Sequence, residues 1–109
     1  MKTDRIMLLQ NRLTENNKDT FALFALAKEF EKINDTEHAM QYYLQLKEVD
    51  ETYVGLYYHL GKMYENQRLI KEALEIYRQG MECAKKTGDF HALSELQNAF
   101  QNLMLEQDF

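Results

Sequence analysis

The chain has 109 residues, 45% hydrophobic and 28% charged, enough for one domain at roughly 150 residues per domain and too apolar for a disordered tail. With no proline and only four glycines, it lacks the punctuation of hairpins and tight loops, which excludes an all-β fold and favours an all-α one. Thirteen basic against eighteen acidic residues leave a net charge of -5, a field that a phosphate backbone would have to overcome, so nucleic acid is not expected as a partner.

The first helix is read at residues 4–15, where Ile6, Leu9 and Leu13 fall at the three- and four-residue spacing of one helical face. Met1 to Asn17 mix Lys2, Asp4, Arg5 and Arg12 with short apolar pairs, a pattern without a secretory core. No apolar run approaches the roughly 18 residues of a membrane span. The expectation is a cytoplasmic protein with no membrane partner. Further helices follow at residues 20–33, 36–49, 53–66, 70–86 and 90–106, with Asn34-Asp35 as the first turn, Gly88 ending the fifth helix and Asp89 capping the sixth.

Self-similarity organises these elements. A shift of 34 residues places Leu26 on Leu60, Ala27 on Gly61, Lys28 on Lys62, Phe30 on Tyr64, Glu31 on Glu65, Ala39 on Ala73 and Tyr43 on Tyr77. Small residues matching small ones predict close helix approach, and the aromatics fill the space beside it. Gly61 is the sharpest of these, because a glycine inside a helix costs about 1 kcal/mol against alanine and needs a packing reason. The same shift carries Tyr43 back onto Leu9, making residues 4–15 a half repeat. In the last helix the register moves by two, which turns Leu93, Leu96 and Phe100 inward.

This pattern resembles the tetratricopeptide repeat, a 34-residue antiparallel helix pair. Its order of large apolar, Leu, small, aromatic, small, aromatic and small residues stands here as Leu23, Leu26, Ala27, Phe30, Ala39, Tyr43 and Leu46. It recurs as Tyr57, Leu60, Gly61, Tyr64, Ala73, Tyr77 and Gly80. Two departures are Leu46, larger than the usual small residue, and Glu51 and Lys85 where the family has proline; Asp50 or Thr52 is expected to cap the next helix instead. The resemblance implies an all-α, right-handed superhelix of antiparallel pairs with about six helices in a single domain over residues 1–109. Its parts would be a half repeat at 4–15, repeats at 20–53 and 54–89, and a C-terminal capping helix at 90–106. The Lys85-Lys86-Thr87-Gly88-Asp89 connection, the stretch from His91 to Gln97, and Tyr57-Tyr58-His59-Leu60-Gly61-Lys62 also resemble short bacterial tetratricopeptide proteins of about this length. No biochemical role is assigned to that group, so this likeness sharpens the fold and leaves function open.

Stacked helix pairs leave a concave face lined by the first helix of each pair, where a peptide would lie. By register the lining is Phe21, Phe24, Ala25, Lys28 and Lys32, then Gly55, Tyr58, His59, Lys62 and Asn66, and in the last helix His91, Ser94, Glu95, Asn98 and Asn102. Phe24 and Tyr58 are the expected anchors. Two readings stand for the rest. Phe21 and Phe24 either line this groove or cover the N-terminal half repeat. His59 and His91, with Lys62, either meet a carboxylate or phosphate on the partner or are ordinary surface histidines. Lys28 and Lys62 each have a glutamate three residues on, Glu31 and Glu65, which would absorb part of their charge. The lysine and asparagine clamp of some tetratricopeptide co-chaperones is not reproduced, since Phe24 and His59 stand where it needs Lys and Asn.

No catalytic constellation is legible. Cys83, the single cysteine, aligns with Val49 at a core position and reads as an inert thiol of a reducing compartment. His38, His59 and His91 fall on different helices without ligand spacing, so no metal is expected. Met40, Met63 and Met81 read as core filler, and there is no glycine-rich phosphate cradle. The expectation is therefore a non-enzymatic protein without cofactor that binds a protein or peptide in its groove, as a monomer or weak homodimer. The alternative is a self-associating structural protein joined through Ile6, Met7, Leu103, Met104 and Phe109 at its ends.

Overall fold

The computed structural model describes residues 2–107, with side chains from residue 4. Among the described residues there are six helices and no strand: α1 (Lys2–Glu15), α2 (Thr20–Lys32), α3 (Thr36–Val49), α4 (Gly55–Asn66), α5 (Ile70–Thr87) and α6 (Phe90–Gln107). Each agrees with its expected span to within two residues. The fold is the all-α helical-repeat fold implied by the resemblance. The chain falls into two compact units, Met1–Glu51 and Thr52–Phe109.

In the first unit α2 packs on α3 and on α1. Asp19 starts α2 by accepting the Ala22 N–H at 3.1 Å, a side-chain cap on one of the donors a helix start leaves unpaired. Arg12 of α1 donates from Nε to the same carboxylate at 2.9 Å, tying α1 to the beginning of α2. At the other end Asn34 takes φ 62°, and the Asp35 N–H returns to the Phe30 carbonyl at 2.9 Å. That left-handed stop closes α2. Asp35 then caps α3, accepting from the His38 N–H at 3.2 Å.

The second unit repeats the same device. Arg68 has φ 65° and the Leu69 N–H bonds to the Tyr64 carbonyl at 3.0 Å, 34 positions after Asn34 and Asp35. A third stop ends α5, with Gly88 at φ 75° and the Asp89 N–H on the Ala84 carbonyl at 2.9 Å. Asp89 caps α6 as expected, accepting from the Ala92 N–H at 3.0 Å. Here α5 packs on both α4 and α6.

The predicted close approaches are present. Ala27, Ala39 and Ala73 are fully buried, as are Tyr43 and Tyr77, and a β-carbon on Gly61 would stand 2.2 Å from Cε1 of Tyr77. On Gly80 it would stand 2.6 Å from the Tyr57 β-carbon. Cys83 and Met63 are buried, while Met40 and Met81 are half-buried.

Three expectations are corrected. The residue at the start of α4 is neither Asp50 nor Thr52: the chain leaves α3 extended at Asp50 and enters α4 through Val54, whose side chain makes no cap bond. A tight turn serves instead, the Leu56 N–H meeting the Tyr53 carbonyl at 3.2 Å. In α6 the buried stripe is Leu96, Ala99 and Leu103, rather than Leu93, Leu96 and Phe100, both Leu93 and Phe100 being half-buried. The stripe's centre thus lies to one side of the expected one. Leu103, offered above as an exposed end residue, is 2% exposed. Phe109 lies outside the described residues.

Candidate functional site

On α2, Phe24 is half-buried and meets the Tyr43 ring edge-on, with centroids 6.1 Å apart. Lys28, one turn later, holds Nζ 5.8 Å from the Phe24 centroid. Phe21 is 53% exposed, with the Arg12 guanidinium 4.9 Å from its ring centre. It is therefore neither a buried cover for α1 nor part of the Phe24–Lys28 pair: it stacks with the arginine that reaches the α2 cap.

On α4, Tyr58 and His59 are half-buried and meet edge-on at 6.1 Å and 89°. Lys62 lies 5.6 Å from the Tyr58 centroid and 3.7 Å from the Glu65 carboxylate, so the glutamate does share its charge. Asn66 is exposed in the last turn of α4. On α6, His91 and Glu95 are exposed and face each other at 3.8 Å, and Asn98 is exposed beyond them. Tyr58, His59 and Lys62 are brought together, and His91 with Glu95.

The two lysine–aromatic pairs are one arrangement repeated at 34 residues, Lys28 over Phe24 and Lys62 over Tyr58. A cation within about 6 Å of a ring centroid is attracted to its face by about 0.5–1 kcal/mol at exposed sites. Each pair presents a half-exposed ring with a positive charge beside it.

Two repeated polar contacts were overlooked in the sequence. The Tyr43 hydroxyl donates to Glu31, and the Tyr77 hydroxyl donates to Glu65 at 2.9 Å. Both partners recur at the 34-residue shift, the signal in the sequence that pairs them. Burial, followed by the hydrogen bond to the carboxylate, drives both phenols well above the usual tyrosine range. Glu29 was also missed. It is 5% exposed, and Lys32 at 3.2 Å and Arg5 at 3.4 Å surround it. Burial works against its charge, but the hydrogen bond and attraction from Lys32, with Arg5, outweigh it and hold the carboxyl below its ordinary value.

Among the described residues, no group of three or more His, Cys, Asp or Glu side chains could hold a metal, and no helix is long and apolar enough to cross a membrane.

A profile of the tetratricopeptide repeat matches residues 22–53 and 54–87. Comparison with curated proteins returns no match. Among solved structures, the chain is 41% identical to a tetratricopeptide repeat domain protein from Salinibacter ruber, over 79% of this chain and 97% of that one, with a TM-score of 0.76 in its crystal form. The translocator chaperone SycD of type III secretion in Yersinia enterocolitica shares the fold at 12% identity, with a TM-score of 0.90 over 99% of this chain and 75% of that one. So does the TPR2B domain of yeast Sti1, solved in complex with pHsp70, at 11% identity and a TM-score of 0.86 over 96% and 84% of the two chains. Tetratricopeptide domains typically mediate protein–protein interactions. With two consecutive repeats matched over more than half its length, the chain belongs to the tetratricopeptide repeat family.

Proposed function

We propose that this chain is a non-enzymatic, cytoplasmic binding module that captures a segment of a partner protein on the first helices of its repeats, needing no cofactor, nucleic acid or membrane. The observation that carries the reading is the duplicated pair: Phe24 with Lys28 on α2 and Tyr58 with Lys62 on α4. Half-exposed aromatics with few rotatable bonds supply much of the energy of protein interfaces, and a ring already held by its lysine loses less freedom on binding. His59 adds a hydrogen-bonding group beside Tyr58, while His91, Glu95 and Asn98 offer a polar surface on α6. A translocator chaperone and a domain solved in complex with pHsp70, both sharing the fold, are consistent with a protein partner.

The test is capture from native lysate with the wild-type chain and a Tyr58→Ala/His59→Ala variant, circular dichroism confirming equal helicity. Proteins held by the wild type should be lost from the variant. Equal capture would remove these residues from the binding surface.

A second reading has its own observation. Met7 and Leu8 on α1 are 56% and 66% exposed, and Met104 and Leu105 on α6 are 46% and 58% exposed. Large apolar side chains side by side in water mark association surfaces. Light scattering over a range of concentrations separates the readings: mass rising with concentration supports self-association, and a constant monomer mass opposes it.

A further inference from the structure

The two repeats differ in how the corner between their helices is filled. In the first repeat, the corner between the end of α2 and the start of α3 is filled by a stack of rings. His38 lies parallel to Phe30 with centroids 5.0 Å apart, and Tyr42 lies parallel to the same ring at 5.7 Å. Asp35 holds the imidazole through Nδ1 at 2.8 Å. Thirty-four residues on, Phe30 becomes Tyr64, His38 becomes Glu72 and Tyr42 becomes Ile76. The ring at the base is kept, but both rings that covered it are gone. In their place is an open hollow of about 320 Å³ lined by Tyr64, Lys71, Glu72, Glu75 and Ile76.

We infer that this hollow between α4 and α5 seats an arginine side chain of a partner protein. The first repeat shows what a filled corner looks like: a flat nitrogen-bearing ring lying on an aromatic and held by a carboxylate. The second keeps the aromatic and lacks the flat group; Asp35 becomes Leu69, and the carboxylates at the hollow are Glu72, in the place of the imidazole, and Glu75. A guanidinium is planar, stacks on aromatic faces and bonds carboxylates through its fork of donors. Ile76, 7% exposed, supplies the apolar wall for its methylene stem. Of the two carboxylates, Glu75 is engaged by Arg78 at 2.9 Å and Gln79 at 3.2 Å. Glu72 has no hydrogen-bond or ion-pair partner among the described residues, and it is the acceptor left for the incoming charge. Lys71 also borders the hollow and opposes a cation, which favours a group that gains from stacking as well as charge over a bare ammonium. The hollow is distinct from the Tyr58 surface: six helical positions turn Tyr64 about 120° around α4 from Tyr58.

The experiment is a backbone-amide NMR titration of the labelled chain with acetyl-Gly-Arg-Gly-amide, the same peptide with lysine, and the same peptide with glutamate. The arginine peptide should shift the amides of Tyr64, Glu72 and Ile76 saturably and more strongly than the lysine peptide; the glutamate peptide should not. Glu72→Gln, an exposed change that leaves the core untouched, should weaken binding about threefold to fivefold. A Glu72→His/Ile76→Tyr variant, which removes the free carboxylate and puts the two rings of the first repeat at the hollow, should abolish it. Tyr58→Ala/His59→Ala should leave the titration unchanged, so this site fails or stands independently of the surface proposed above. Absent or non-saturating shifts, shifts centred on Tyr58, equal response to lysine, or an unaffected Glu72→Gln variant would each overturn the assignment.

Discussion

Gly61 lies against the ring of Tyr77 so closely that a β-carbon added to it would stand 2.2 Å from Cε1 and 2.6 Å from Cδ1. Tyr77 is fully buried and its hydroxyl is fixed on Glu65, so the ring has little room to retreat. Gly61→Ala gains about 1 kcal/mol of helix propensity but incurs the roughly 1–3 kcal/mol of an overpacked core. The net expectation is a loss of about 1 kcal/mol by urea denaturation. A stabilised variant would mean that α4 and α5 are less tightly joined than described.

The tyrosine–glutamate pairs give a second prediction. Tyr43→Phe and Tyr77→Phe each remove a donor from a carboxylate and should each cost about 1–2 kcal/mol. Their pH signature lies on the alkaline side. An unfolded tyrosine ionises near 10, whereas in the folded chain burial and then the neighbouring carboxylate raise both phenols. Their contribution is therefore fully present below about pH 10 and falls as pH rises beyond it. Thermal melts between about pH 8 and about pH 11 should show this decline. It should be shallower in the doubly substituted chain, and an equal slope in both would contradict the assignment.

On the acid side the groups are Glu29 and Asp19. Asp19 is lowered from 3.8, first by the Ala22 N–H and then by Arg12; Glu29 is lowered from 4.5 because Lys32 and Arg5 outweigh its burial. Depressed carboxylates stabilise the fold above their ordinary values and lose that contribution as pH falls through the folded ones. The urea midpoint should thus drop as pH goes from about 5 toward about 2. Glu29→Gln should lower the midpoint at neutral pH and reduce its acid dependence. An unchanged acid limb would place the sensitivity elsewhere.

Arg68 occupies a left-handed turn at φ 65°, where its β-carbon is disfavoured by about 1–2 kcal/mol. Arg68→Gly relieves that strain and loses part of the gain to unfolded-state entropy. A stabilisation of about 0.5–1 kcal/mol is expected by thermal or urea unfolding. Destabilisation would show that the arginine makes a compensating contact.

Much of the fold was legible because its determinants are local or periodic. Ala27, Gly61, Ala39 and Ala73 are small where helices meet, and Asp89 stands one residue before the helix it caps. What was not legible depends on geometry that spacing does not encode. Thr52 looked like the cap position, but α4 starts after Val54, with the Leu56 and Tyr57 N–H groups donating to the Tyr53 and Val54 carbonyls. Leu103 looked like an exposed end, but a modest rotation of α6 makes it core. Arg5 and Glu29 lie 24 positions apart and meet only once α1 has packed on α2. The candidate site divides in the same way. The spacing of Lys28 and Lys62 from Glu31 and Glu65 is readable in sequence, but their rest positions beside Phe24 and Tyr58 depend on rotamers. The open corner at Tyr64 emerges only from comparing one folded repeat with the other.

Hydrogen-exchange mass spectrometry of the chain with and without a captured partner tests the binding account most directly. Slowed exchange should fall on α2 around Phe24 and Lys28 and on α4 around Tyr58 and Lys62. Protection confined to α3 and α5, with α2 and α4 unchanged, would contradict it.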